Sequence, residues 1–583
     1  LTALLATLVP LTHTSFARAA ATESAWVQFD SFSYQGGDPV FDAVPPGVGE
    51  FYNPVVAGFY PDPSICRVGD DFYLIHSSFS FFPGIPIFHS RDLVNWTQLG
   101  HVLDRPSQLN LDGLSVSSGI YAPAIEHHDG LFYVITTNVY GIGNFYVTAK
   151  DPAGPWSDPI TLPFDGIDPS FFFDDDGRAY VVHNGPPPEK SPLYEGHRAI
   201  WLWEFDPAAR SVKNGRIIVD GGSDIRKKPV WVEGPHIYKR GGWYYLSCAE
   251  GGTGPDHSQV VFRTRKLSDP FVPAPHNPIL TQRDLDADRA DPVTALGHAD
   301  LVETASGEWW AVFLGIRPYE QGKSNIGRET FLLPVTWTND WPDILEKGRV
   351  LPRTHPLPAL PASPRPTPPT TGSFAWRDDF DAPRLGLPWL FLRTPRELWW
   401  TLSVRPGSLL VEPRPVGLDS VDRKNPKLNA NPSFVARRLQ HVDFQAETAI
   451  EIQTDTLASD AGLAALQNDT NYLFLGVRIR EGHAREVFLE RRDKSVAAAG
   501  IVARHDLPAS ARRLELRVSG TGRLVTAAYR LGEEAAWQVL AADLDGSLLS
   551  TQDAGGFVGA VVGLYARLPV QAAASAPNEP PRP

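Results

Sequence analysis

Methionine is absent from this 583-residue chain, and cysteine occurs only at Cys66 and Cys248. Nothing in the residue pattern accounts for the missing methionine. Two cysteines allow one disulfide at most. Long Ala/Leu/Glu/Lys stretches of helical character are scarce, which argues against a helical protein. Beyond the first 20 positions no stretch reaches the ~18–20 apolar residues of a membrane span, so no membrane partner is expected. Basic charge is in deficit as well. The formal net charge is −14, which argues against nucleic acid, whose phosphates need a basic face. A neutral ligand suits such a chain.

What is present is aromatic and rich in turns. There are 16 Trp, 17 Tyr and 30 Phe beside 49 Gly and 54 Pro. That composition points to an all-β protein, and the length to two domains. Residues 1–20 read as the remnant of a secretory signal peptide, an apolar core followed by the Ala17-Arg18-Ala19 cleavage pattern. The basic start of such a signal is absent, as it would be if the chain's true beginning were missing. A secreted or periplasmic location is therefore expected. Residues 21–49 are polar and aperiodic and read as a loosely held leader.

One pattern is repeated five times. A Gly- or acid-containing turn precedes an aromatic strand at Asp70-Asp71-Phe72-Tyr73, Asp129-Gly130-Leu131-Phe132-Tyr133, Asp176-Gly177-Arg178-Ala179-Tyr180, Gly241-Gly242-Trp243-Tyr244-Tyr245 and Gly307-Glu308-Trp309-Trp310. The echoes recur roughly every 47 to 65 residues, the spacing of propeller blades. The fold expected for residues 50–352 is a five-bladed β-propeller. Cys66 and Cys248 then lie on strands of the first and fourth blades, too far apart to pair, so two buried free thiols are expected. A Pro-rich linker covers 353–372. A β-sandwich follows over 373–570, read from alternating stretches such as Phe444–Ile452. Residues 571–583 form an Ala/Pro-rich tail expected to be disordered.

Ahead of each aromatic turn lies an apolar strand, and ahead of that a short motif: Asp62-Pro63-Ser64, Ala122-Pro123-Ala124, Asp168-Pro169-Ser170, Glu233-Gly234-Pro235 and His298-Ala299-Asp300. In a propeller these starts converge on the central axis. Asp62, Asp168, Glu233 and His298 would meet at one mouth. Cleaving a glycosidic bond needs an acid for the leaving oxygen and a carboxylate that attacks or activates water. A third carboxylate can hold the acid's proton by like-charge repulsion. An isolated Asp-Pro-Ser is an ordinary turn; its recurrence at equivalent beats, with an acid at a third, favours chemistry.

The segments Gly58-Phe59-Tyr60-Pro61-Asp62-Pro63-Ser64, Asp168-Pro169-Ser170-Phe171, Trp231-Val232-Glu233-Gly234-Pro235-His236 and Gly327-Arg328-Glu329-Thr330-Phe331 resemble glycoside hydrolase family 43. The likeness is to its β-xylosidase and α-L-arabinofuranosidase branch with a C-terminal sandwich. It implies Asp62 as general base, Glu233 as general acid and Asp168 as the group that tunes and orients that acid. It implies Arg328 on the sugar hydroxyls or in the same tuning, and Phe79 as a wall of the terminal sugar subsite. Tyr121 stands where relatives often carry Trp. His298 would lie beneath the site, meeting a water or a calcium ion; no cofactor is needed for the chemistry itself. The sandwich would lend a loop to the pocket, and Phe557 in Gly555-Gly556-Phe557-Val558-Gly559 either closes that pocket or belongs to the sandwich core.

The implied activity is exo-acting and inverting, releasing xylose from the non-reducing ends of β-1,4-xylo-oligosaccharides. The alternative is an α-L-arabinofuranosidase, or one enzyme with both activities on arabinose-substituted oligosaccharides. A homo-oligomer is compatible with either. Retaining fructosidases share the architecture, but their Asn-Asp-Pro-Asn-like nucleophile segment is absent. A sugar-binding protein without turnover is disfavoured by retention of all three acids.

Overall fold

The fold is seen in a computed structural model that describes residues 26–421, 431–453 and 458–569. The expected signal remnant and tail fall outside these residues. Five antiparallel sheets make the propeller. Their inner strands are Ser64–Val68, Gly119–His128, Ile167–Phe173, Glu233–Arg240 and Thr294–Glu303. Each pairs through a hairpin with a second strand, and the five hairpin turns are the five echoes of the sequence. The fourth turn shows why glycine recurs there: Gly241 and Gly242 sit at φ +57° and +74°, as a two-residue hairpin turn requires. The ring closes where the Asn53 side chain caps Leu332 on both sides, donating to its carbonyl at 2.8 Å and accepting from its N–H at 2.9 Å.

The second domain is a sandwich of two eight-stranded sheets. One sheet holds a strand from the far end of the chain, Val27–Gly37, between Leu409–Val411 and Asp443–Glu451. The leader expected over 21–49 is thus corrected: much of it is a central strand of the sandwich. Its hydrophobic alternation is hidden by a bulge at Asp30. Val27 and Phe29 face the core before it, and Phe32 and Tyr34 after it. One extra residue flips the phase of the period-two pattern, so the stretch reads as aperiodic.

The other sheet extends into the propeller, for Leu390–Leu392 pairs with Phe81–Phe82 of the first blade. The Pro-rich segment is likewise no free tether. Thr354–Pro356 pairs with Glu50–Tyr52, the Ser363 N–H donates to Asp92 at 2.8 Å, and the Thr370 hydroxyl donates to the Val55 carbonyl at 2.9 Å. Asp174, at the turn after the third inner strand, is buried and accepts from Lys239 and Tyr244 at 2.6 and 2.7 Å. Cys66 and Cys248 are buried and free, in agreement with the expectation.

Candidate active site

The inner strands enter the channel through a repeated irregularity. In blades two to five the register slips at Tyr121/Ala124, Ile167/Ser170, Glu233/His236 and Gly297/Asp300, so two residues face one. The first bulged residue is left-handed in each: Ala122 at φ +28°, Asp168 at +53°, Gly234 at +54° and His298 at +51°, with Asp62 of blade one at +52°. Four of the five are followed by proline, which leaves no orphaned N–H in the bulge. A bulge re-aims a side chain out of the sheet's ordinary alternation. Here it turns Asp62, Asp168 and His298 into the mouth. Left-handed backbone costs a non-glycine residue roughly 1–3 kcal/mol, a strain that clusters at functional sites.

Blade four differs by one residue. Its bulged position is Gly234, and the acid is the residue before it. A Cβ at Gly234 would lie 2.7 Å from Nε2 of His298, so no side chain fits there. Glu233 is therefore equivalent to Tyr121 and Ile167 rather than to Asp62 and Asp168. All of them still line the same cavity, because the bulge brings consecutive residues to one face.

That cavity measures about 630 Å³ and gathers all eight residues expected from the sequence: Asp62, Asp168, Glu233, Arg328, His298, Phe79, Tyr121 and Phe557. The three carboxyls have different proton affinities. Burial works to raise Asp62, but Arg328, His298 and the Ser77 hydroxyl outweigh it and hold it below the usual carboxylate range. The Arg328 Nη1 donates to Asp62 Oδ1 at 2.6 Å, and the Ser77 hydroxyl donates to Oδ2 at 2.6 Å. Burial pushes Asp168 up to about 7, helped by the Asp62 charge and opposed by the Gly234 N–H and Arg328. Glu233 is raised well above its ordinary value, first by burial, then by Asp168 and Asp62. One carboxylate is thus held ionised and another held protonated in the same space.

The sandwich completes the wall. Arg328 Nη2 donates to the Phe557 carbonyl at 3.2 Å, and the Phe557 N–H donates to the Ser117 hydroxyl at 3.0 Å. The Phe557 ring stacks on Phe79, centroids 6.3 Å apart at 20°, and meets Tyr121 edge-on at 5.8 Å. It is 36% exposed, so it is a pocket wall and not sandwich core. The Tyr121 hydroxyl donates to the Ser117 carbonyl at 2.6 Å, fixing that ring.

His298 gives no support to the calcium expectation. Among the described residues no group of three or more His, Cys, Asp or Glu side chains is placed to hold a metal. Its Nδ1 stands 3.9 Å from Asp62 Oδ1, an oxygen already paired with Arg328. Calcium takes about 6–8 oxygen ligands, and this donor set does not fit it. Burial depresses the imidazole to about 4, so it is neutral near pH 7.

Four contributors were not singled out from the sequence: Ser77, Trp231, Arg198 and Asn184. Ser77 donates to Asp62 and accepts from the Ala122 N–H at 2.7 Å, linking two blades. Trp231 lines the pocket with Arg198 over its ring at 4.0 Å. Asn184 lines it too and donates to the Val232 carbonyl at 2.6 Å, bracing the Glu233 strand. Trp231 opens one of the segments that carry the family likeness; Ser77, Arg198 and Asn184 lie in none of them.

An ionised and a protonated carboxyl facing one cavity are the equipment of acid–base hydrolysis, and the propeller–sandwich frame places that chemistry among the glycoside hydrolases. Residues 51–342 match the family described as "Glycosyl hydrolases family 43", and residues 377–576 match "Beta xylosidase C-terminal Concanavalin A-like domain". A non-reducing end alpha-L-arabinofuranosidase of Bacteroides ovatus is 38% identical over 531 residues, 88% of this chain and 91% of that one. A xylosidase/arabinosidase of Butyrivibrio fibrisolvens is 38% identical over 528 residues, 88% and 95% of the two chains. Among solved structures, a GH43_12 protein retrieved from a capybara gut metagenome superposes with a TM-score of 0.85 at 39% identity, covering 93% of this chain and 99% of that one. The chain belongs to glycoside hydrolase family 43.

Proposed function

We propose that the protein is an exo-acting, inverting glycosidase that releases xylose from the non-reducing ends of β-1,4-xylo-oligosaccharides. The observation that carries this reading is the opposition of Asp62, ionised against Arg328, to Glu233, which retains its proton in the same cavity. Asp62 takes a proton from a water as that water attacks the anomeric carbon. Glu233 gives its proton to the glycosidic oxygen as the bond breaks. Asp168 helps keep the proton on Glu233 as pH rises, because its own ionisation, held off to about 7, adds like charge beside the acid. Phe79, Tyr121 and Phe557 hold the terminal sugar, and the stack of Phe557 on Phe79 closes the pocket against chain interiors. Residues 1–20 support a secreted or periplasmic enzyme.

A second reading has its own support, since a relative at 38% identity is named an alpha-L-arabinofuranosidase and another carries both activities in its name. Under it the terminal sugar is an α-L-arabinofuranosyl unit on a xylan fragment, cleaved by the same three carboxyls. Hydrolysis of a chromogenic β-xyloside and a chromogenic α-L-arabinofuranoside by the same preparation tests both. Turnover of the xyloside alone supports the first reading, turnover of the arabinofuranoside alone the second, and turnover of neither overturns both.

A further inference from the structure

The Asp62–Arg328 pair stands at the end of a backbone ladder between the first and fifth blades. The Thr330 carbonyl accepts from the Val55 N–H at 2.9 Å, the Thr330 N–H donates to the Val56 carbonyl at 3.0 Å, and the Arg328 carbonyl accepts from the Tyr60 N–H at 3.1 Å. The Thr330 hydroxyl adds a bond to the Tyr60 carbonyl at 2.8 Å. Between these rungs lies Gly58, where a side chain takes over. The Gly58 N–H donates to Oε1 of Glu329 at 3.0 Å. Gly58 is left-handed at φ +87°, and an added Cβ would lie 2.8 Å from the Leu439 carbonyl of the sandwich. Glu329 thus holds the loop that delivers Asp62 at the point where it passes against the sandwich.

Glu329 is itself gripped. It is buried, and Arg317 donates to it through a fork, Nε to Oε2 at 2.7 Å and Nη2 to Oε1 at 2.8 Å. The remaining corner of the guanidinium, Nη1, donates to Asp38. Asp38 is buried and directly follows the sandwich strand Val27–Gly37. Its other oxygen accepts from the Phe41 N–H at 3.0 Å and caps the short helix Pro39–Ala43. One arginine therefore spans two carboxylates, the first beside Arg328 and the second at the end of the sandwich strand. Tyr52, Arg353 and His441 are the other titratable groups around this cluster. None of Asp38, Arg317 and Glu329 lines the catalytic cavity. A buried ion cluster is weak evidence for a stabilising role. Its place, behind both the base loop and the arginine that pairs with the base, gives it another one.

We propose that Glu329, gripped by Arg317 and Asp38, is a positioning residue for the Asp62–Arg328 pair, fixing the loop from Gly58 to Asp62 against the strand that begins beside Arg328. The inference rests on Asp62 as the base and deepens the function proposed above. It also gives the segment around Asp38 a task in the active site, although no side chain of that segment reaches the cavity.

Glu329→Gln is the test. Oε1 accepts from two donors and Oε2 from a third, so an amide there turns its own N–H toward a donor whichever way it lies. The loop should shift, and kcat/KM on whichever aryl glycoside the wild type hydrolyses should fall by roughly 10- to 10²-fold. The acidic limb of the kcat/KM profile should move to higher pH, and that direction discriminates. Asp62 faces Arg328 and His298 from blade five, Glu233 and His257 from blade four, Asp168 from blade three and Tyr121 from blade two. The substitution alters none of them. Removing the Glu329 charge, and with it a partner of Arg317, would by itself favour an ionised Asp62 and move the limb down. An upward shift therefore reports a weakened contact with Arg328. In an Arg328→Gln background the added Glu329→Gln should cost little more, because the contact it protects is already gone. Asp38→Asn keeps the helix cap, should move the limb upward by less, and decides the matter if Glu329→Gln does not fold. Asp174→Asn is the structural control: it disturbs a buried carboxylate away from the cavity and should lower Tm without moving the limb. A limb that stays or falls in Glu329→Gln and Asp38→Asn, or a fully additive loss with Arg328→Gln, would overturn the inference. If the wild type hydrolyses neither aryl glycoside the parent function fails, and a crystal structure of Glu329→Gln still decides: an Arg328–Asp62 contact kept at 2.6 Å would overturn the positioning role, and a lengthened one would support it.

Discussion

Arg328 and Asp62 form a buried ion pair at 2.6 Å in which the arginine comes from blade five and the aspartate from blade one. The guanidinium is what keeps Asp62 ionised, because burial alone would raise that carboxyl. Removing one partner of a buried pair leaves the other uncompensated, a loss of about 3–5 kcal/mol. Asp62 is lowered in the fold, so its contribution to stability is present above the unfolded carboxylate value and lost as pH falls through the folded one. Arg328→Gln should therefore move the acidic limb of the kcat/KM profile to higher pH and lower Tm near neutrality. An acidic limb that stays in place would show that Arg328 does not set the charge of Asp62.

Asp62→Asn and Glu233→Gln should each lose turnover on xylobiose, by roughly 10²–10⁴-fold for each proton-transfer role. The two variants should part on an aryl glycoside with a good leaving group. Such a leaving group needs little protonation, so Glu233→Gln should recover much of its rate while Asp62→Asn stays inactive. Equal recovery by both would remove the division of roles.

Much of this site was legible because the propeller repeats itself. A turn followed by aromatics can be aligned with its four copies, and the alignment places Asp62, Asp168 and His298 at the axis with no structure in hand. Glu233 was found by the same alignment but one position out of phase. The reason is a glycine at the bulge that only the packing of His298 explains. A bulge also concealed Val27–Gly37, whose period-two pattern breaks at Asp30. Arg198 and Asn184 reach the pocket from strand ends, where one sequence gives no periodicity to follow. The pairing of Phe81–Phe82 with Leu390–Leu392 joins residues about 310 positions apart, a register that no local signal carries.

Phe557→Ala should raise KM for xylobiose and leave Tm almost unmoved. The ring is 36% exposed and touches Phe79 and Tyr121 across the pocket, with no place in the sandwich interior. Buried Phe→Ala changes cost about 3–5 kcal/mol, and a partly exposed ring should cost well under that. Thermal unfolding beside steady-state kinetics separates the outcomes: a large drop in Tm with unchanged KM would make Phe557 structural only.

The stereochemical outcome follows from the base. If Asp62 activates water instead of attacking the sugar, one displacement occurs and the anomeric configuration inverts. An NMR time course on an aryl β-xyloside should show α-xylose as the first product, with the β-anomer growing later by mutarotation. β-Xylose appearing first would assign Asp62 as a nucleophile.

Asp168 should reveal itself through pH. It is raised to about 7 by burial and by Asp62, and it in turn raises Glu233. A carboxyl raised in the folded state contributes stability that is complete below its unfolded value, about 3.9 for Asp, and lost as pH climbs through the folded value. Between about pH 4 and about pH 7 stability therefore falls as pH rises, because the unfolded chain has ionised Asp168 while the folded one still holds its proton. Asp168→Asn keeps the shape and removes one of the charges. Its Tm relative to wild type should be higher at about pH 8 than at about pH 5, because only at the higher pH does the wild type carry the repulsion. The alkaline limb of the kcat/KM profile should move to lower pH at the same time, since Glu233 then gives up its proton more easily. Substitution that leaves both the Tm difference and the alkaline limb unchanged would mean that Asp168 acts by orientation alone, through its contact with the Gly234 N–H at 3.3 Å.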